Sequence, residues 1–115
     1  MNKTIKLLSL LILLATAMIS CSKTNIENGS TNCLDYKISA FNKASTCNDA
    51  KVDKFVFNGD TVYTFDPGTC GADMTTEVIG ADCKNLGYLG GILGNTKING
   101  KEFSSATFIK NIWKK

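Results

Sequence analysis

The pattern of hydrophobic and polar positions changes character twice along the chain. Leu7 to Ile19 is apolar except for Ser9 and Thr16, and it follows a short start that carries Lys3 and Lys6 but no acid. A positive start, an apolar middle and a small residue, Ser20, ahead of Cys21 are the parts of a secretory signal. The apolar run is about 13 residues where a spanning helix needs roughly 20. The pattern therefore predicts an export signal over 1–20 rather than a permanent span. Residues 22–32 are polar apart from Ile26 and read, with Cys21, as a tether over 21–32 that reaches at most about 35 Å.

From residue 33 on, apolar and polar positions mix in the way of a folded domain, 33–115. Leu34, Ile38 and Phe41 recur at helical spacing. Asn32 is placed to cap and Asp35 to meet the positive end of the helix dipole, so the spacing predicts a helix over 33–43 and a loop over 44–50. Val52–Phe57 and Thr61–Phe65 flank Asn58-Gly59-Asp60 and predict a β-hairpin. A two-residue Asn58-Gly59 loop would pair Phe55 with Val62. A three-residue connection would instead gather Phe55, Phe57, Tyr63 and Phe65 on one face, and the gain from aromatic cross-strand pairs favours that longer loop, with the aromatic face on the helix. Asp66-Pro67-Gly68-Thr69 is a turn and Thr75–Ile79 a third strand closed by Gly80. Residues 87–100 hold Gly87, Gly90, Gly91, Gly94 and Gly100 and read as turns. In the tail, Phe108/Ile112 and Ile109/Trp113 are helix-spaced, yet the β-branched and aromatic content favours a strand. The fold class expected is α+β: one N-terminal helix packed on a small antiparallel sheet of about four strands.

Cysteine changes this picture most. Beyond Cys21 the chain has Cys33, Cys47, Cys70 and Cys83. Four cysteines in a small exported domain predict two disulfides, and a core of this size needs them. Three pairings exist; Cys33–Cys47 with Cys70–Cys83 is favoured because each closes a local loop. A zinc site is disfavoured by the absence of any C-x₂-C spacing. Charge excludes more than it suggests. Residues 21–115 carry eleven lysines and ten acids, with no arginine and no histidine. Lacking arginine, the chain is not built for base and phosphate recognition, and no nucleic-acid partner is expected. Lacking histidine, it has no Ser-His or Cys-His nucleophile pair. Neither cofactor nor metal is predicted, and the reading is not of an enzyme.

The remaining candidates for chemistry are few. Gly87-Tyr88-Leu89-Gly90-Gly91-Ile92 lacks the Lys-Ser/Thr of a phosphate loop, and its glycines are better explained by positive φ. Asn95–Gly100 echoes a calcium loop but puts Lys97 where an oxygen ligand belongs; a turn at Asn99-Gly100 fits better. Asp66, Asp73, Glu77 and Asp82 are the acids that could make a two-carboxylate hydrolase site, with solvated surface acids as the default. Tyr63 and Trp113 fit a core, whereas Tyr88, in the glycine-rich stretch, is the candidate contact residue.

Met18-Ile19-Ser20-Cys21 resembles the lipobox of bacterial lipoproteins. The resemblance implies cleavage before Cys21, lipid attachment to its thiol with acyl chains such as palmitate, and a place in the cell envelope on the periplasmic or surface face of the outer membrane. From Cys33 on, Val52–Phe57, Gly59, Val62-Tyr63-Thr64-Phe65, Cys70 with Asp73, Cys83, Leu89–Gly94 and Ile112-Trp113 together resemble an uncharacterised family of small Bacteroidota lipoprotein domains, over about 80 residues. Where members of that family often carry paired cysteines, this chain has Cys70 followed by Gly71. The resemblance implies no activity. The expectation is thus a membrane-anchored envelope module that binds a protein or glycan. The alternatives are a structural accessory subunit of an outer-membrane complex and an inhibitor of an exported enzyme.

Overall fold

The computed structural model describes residues 25–115; the expected signal over 1–20 and Cys21 lie outside the described residues. Helix α1 (Asn25–Ala44) is followed by β1 (Lys51–Phe57), β2 (Asp60–Asp66), β3 (Thr75–Gly80), β4 (Asn85–Gly90), a short pair β5 (Lys97–Ile98) and β6 (Lys101–Glu102), a 3-10 turn over Phe103–Ser105, and β7 (Thr107–Lys114). The main sheet has five strands in the order β4-β3-β2-β1-β7, every neighbouring pair antiparallel, and β5-β6 forms a second sheet. The architecture is α+β as expected. The glycine-rich stretch supplies β4, which the reading of 87–100 as turns had missed. The turn at Asn99-Gly100 is present, with both residues at positive φ. No described helix is long and apolar enough to cross a membrane.

Helix α1 starts at Asn25, so 25–32, expected as tether, is helical and Asn32 is an interior residue rather than a cap. Inside a helix the backbone N–H is satisfied by the carbonyl four residues back, and a side-chain cap is not required. At the other end the Ser45 N–H and hydroxyl both reach the Phe41 carbonyl, at 2.8 and 2.6 Å. The Lys115 ammonium donates to the Ser45 carbonyl, placing a cation at the negative end of the helix dipole.

The hairpin corrects the expected register. Phe57 pairs with Asp60 and Phe55 with Val62, so the loop is the two-residue Asn58-Gly59, with φ of 52° and 81°. Positive φ at both positions is the type I′ turn that Asn-Gly favours and that matches the strand twist. The aromatics are consequently split between faces. Tyr63 and Phe65 join Val52 and Ile79 beneath Leu34, Ile38 and Phe41 of α1. Phe55 and Phe57 point the other way, into a second core with Val62, Val78 and Ile98 that is roofed by Phe103 and Ala106. None of these four aromatics is exposed by the split, because the 98–106 segment covers the face that α1 leaves open. Phe103 lies 5.2 Å, centroid to centroid, from both Phe55 and Phe57.

The tail is a strand with two bulges. Val52 pairs with Trp113 but Asp53 with Asn111, and Lys54 pairs with Lys110 but Phe55 with Phe108. Ile112 and Ile109 are the extra residues. The first bulge turns both Ile112 and Trp113 toward α1. Asn111 fastens it, its amide donating to the Val52 and Trp113 carbonyls and, at 2.8 Å, to the buried Asp53 carboxylate.

Cysteine pairing also differs from expectation. The disulfides are Cys33–Cys83 and Cys47–Cys70, with Cα separations of 6.4 and 5.5 Å, not Cys33–Cys47 and Cys70–Cys83. The reason is the length of the elements. The helix from Cys33 to Ala44 rises about 16 Å, so it carries Cys47 to the opposite end of the sheet, beyond the roughly 7 Å a bridge spans. β3 does the same to Cys70 and Cys83, which precede and follow it. Each disulfide therefore pins one end of the molecule. At the Cys47 end, Gly68 is wedged so closely that a Cβ would lie 2.7 Å from that of Cys47.

Asp49 holds the same loop. Its carboxylate accepts the Thr69 hydroxyl at 2.6 Å and the Thr69 N–H at 3.1 and 3.2 Å, and the hydroxyl bond first, then the N–H, keep the carboxyl below its ordinary 3.8. A depressed folded value stabilises the charged form, so this contribution is present above 3.8 and is lost as pH falls through the folded value. Urea midpoints of the wild type and Asp49→Asn should differ near neutral pH and converge below that range.

Candidate functional site

Helix α1 does not cover the whole face it packs on. Its stripe of Leu34, Ile38 and Phe41 packs on the cluster of Val52, Phe65, Ile79, Ile112 and Trp113 from β1, β2, β3 and β7, and the edge strand β4 lies beyond that cluster. Between the helix flank and the sheet runs a groove of about 390 Å³ lined by Tyr36, Lys37, Ala40, Phe41 and Ala44 from the helix, by Phe65 from β2 and by Glu77 from β3. Antiparallel pairing sets Tyr88 directly opposite Glu77, and paired residues share a face. The bulge between Val78 and Ile79 brings Asn85 into the same row, opposite Ile79.

Three donors converge on the Glu77 carboxylate. Lys37 Nζ lies 3.2 Å from Oε1, Asn85 Nδ2 is 2.8 Å from Oε2, and the Tyr88 hydroxyl is 3.5 Å from Oε2. The Lys37 and Glu77 side chains are about a third exposed, which keeps their ion pair in the range of about 0–1 kcal/mol. Its role is to hold the carboxylate in place. Tyr36, 76% exposed, and Tyr88, 51% exposed, add large rings with a polar tip, the residue type that dominates recognition surfaces.

The acids expected as hydrolase candidates are not brought together. Asp66 accepts the Gly68 N–H at 2.9 Å in the turn after β2. Asp73 sits at φ 56° in the loop before β3. Asp82 accepts the Lys84 N–H at 3.1 Å at the far end of β3. Asp66 pairs with Lys51 and therefore shares the face of Asp53 and Phe55, opposite that of Glu77. Among the described residues no three acids or cysteines are grouped to hold a metal ion. A second hollow of about 600 Å³, lined by Asp60, Gly80 and Asp82 among others, lies by the β1–β2 and β3–β4 turns and has no aromatic wall. Tyr63 and Trp113 pack against the helix-side core. Of the residues singled out by sequence, Glu77 lines the groove and Tyr88 reaches its carboxylate from β4. Tyr36 and Lys37 were legible only as off-stripe helix positions, and Asn85 gave no signal because a bulge places it.

These features define a small α+β domain with one helix over a five-stranded antiparallel sheet and a disulfide at each end. The chain belongs to the DUF6970 family, described as a domain of unknown function, whose model matches residues 36–115. The expected membership of an uncharacterised family spanning the folded domain is thus met. Neither the curated proteins nor the solved structures give a match.

Proposed function

We propose that this protein is a lipoprotein held in the cell envelope through acyl chains on Cys21, and that its domain is a non-enzymatic module binding an envelope protein or glycan at the groove beside α1. The anchor rests on the positive start, the short apolar run and Ser20-Cys21. Two disulfides suit an oxidising compartment. The observation that carries the binding reading is the Glu77 carboxylate, held by Lys37 and Asn85, with the exposed Tyr36 lining the same groove and the exposed Tyr88 reaching the carboxylate from β4. A carboxylate whose partners are already in place is a fixed acceptor, suited to orienting a ligand. Fixed polar groups against an apolar floor of Phe41, Phe65 and Ala40 are the make-up of a recognition site.

Two measurements test this. Metabolic labelling with radiolabelled palmitate should mark the processed protein that begins at Cys21 and be abolished by Cys21→Ser; label surviving that change refutes the anchor. The detergent-extracted protein should be retained on isolated envelope material, and Tyr88→Ala should lower that affinity about tenfold, the scale of one interface tyrosine, without moving Tm. Undiminished retention in Tyr36→Ala/Tyr88→Ala would eliminate the groove as the site.

A further inference from the structure

The turn that joins β4 to β5 has no role in either core, yet it is built with care. It presents Ile92 and Leu93, 81% and 93% exposed, in a stretch without charge. Gly90 and Asn95 exchange two backbone hydrogen bonds, of 2.8 and 3.0 Å, and the Gly94 N–H closes on the Gly91 carbonyl at 3.0 Å. The Gly91 N–H reaches the Met74 carbonyl at 3.1 Å. Below them the Asn95 side chain donates to the Tyr88 and Lys97 carbonyls and accepts the Lys97 N–H. All these bonds are made by backbone and by Asn95, so the two aliphatic side chains are free of structural duty.

Position gives the turn a direction. Cys33 is bridged to Cys83 in the β3–β4 turn, so α1 enters the domain at that end of the sheet. Gly90 pairs with Thr75 at the start of β3, which puts the 91–94 turn at the other end. On the reading that Cys21 is lipidated, only three residues separate the anchor from α1, and the turn lies at the end of the sheet opposite the anchored one.

We infer that the Gly91–Gly94 turn is a preorganised anchor that inserts Ile92 and Leu93 into an apolar pocket of a protein partner on the membrane-distal side of the domain. The inference rests on the anchored-module reading for its direction and narrows the partner to a protein. A glycan is recognised through hydrogen bonds, and two aliphatic tips offer none; a bilayer would be met at the opposite end. Because the turn is already ordered, little conformational freedom is lost when it docks. Tyr88, two residues before Gly90 on the same strand, makes the groove and the turn neighbours along β4.

The test uses the full chain in membranes of producing cells, with a benzoylphenylalanine photocrosslinker at position 92 and, as control, at the exposed Ala81 of the β3–β4 turn. The expected result is one protein adduct, identified by mass spectrometry, from position 92 only and lost when Leu93→Asp is added. That protein, purified, should bind the detergent-extracted chain, with Leu93→Asp lowering affinity more than about tenfold and Leu93→Met changing it little. Tm should not move, given the exposure of Leu93; Ile92→Asn is the second variant. An adduct of twice the chain's mass, an adduct with lipid alone, or no adduct at position 92 overturns the inference. If Tyr88→Ala weakens binding while Leu93→Asp does not, the groove stands and the turn fails; the reverse result removes the groove and keeps the turn.

Discussion

Replacing Cys33 and Cys83 together by serine should destabilise the domain by about 4 kcal/mol, because the bridge closes a loop of 50 residues in the unfolded chain. The Cys47–Cys70 bridge, with a separation of 23, is expected to contribute about 3 kcal/mol by the same loop-closure argument. Small domains are stable by about 5–15 kcal/mol in total, so either loss is a large part of what holds this one together. Urea unfolding of the two double variants checks both values, and their order is diagnostic. The local pairing of neighbours in sequence would close two loops of nearly equal length and give two nearly equal losses. The structure requires the Cys33/Cys83 loss to be larger. It also requires a non-reducing peptide map to join the fragments carrying Cys33 and Cys83, and a map joining Cys33 to Cys47 would refute the packing of α1 described here.

Phe65→Ala should be nearly as severe, at about 3–5 kcal/mol. Phe65 is 4% exposed and sits among Val52, Ile79 and the helix stripe. Phe41 meets it edge-to-face at 5.3 Å and itself meets Trp113 at 5.8 Å. One truncation therefore opens a cavity where the helix, the central strands and the bulged tail converge, and no neighbour is free to fill it. Urea denaturation gives the magnitude. A loss below about 1.5 kcal/mol, the range of a surface change or a methyl deletion, would mean that α1 is not docked on this face. Phe65 also floors the groove beside α1, so the variant that survives folding should bind envelope material more weakly than Tyr88→Ala does.

Local sequence by itself determined the helix, the hairpin strands, the third strand and the β-character of the tail. These follow from periodicities of 3.6 and 2 and from Asn-Gly and Asp-Pro-Gly turn chemistry, all of which act over a few residues. The hairpin loop shows where a pairwise argument stops. Grouping four aromatics on one face is favourable only if one face is buried, and here both are: α1 covers one and the 98–106 segment the other. With no penalty for splitting the aromatics, the type I′ preference of Asn58-Gly59 decides the register. The tail looked half helical for a related reason. Two bulges insert Ile109 and Ile112 and break the alternation that a regular strand would show. Strand β4 was hidden by its glycines, whose positive φ reads as turn until β3 supplies a partner. Tertiary structure alone settled the cysteine pairing and the groove. Cys33 and Cys83 are 50 positions apart, and Lys37 and Glu77 are 40 apart. No local preference encodes such contacts; they exist because rigid elements of set length, stacked on a common core, bring their ends and flanks together.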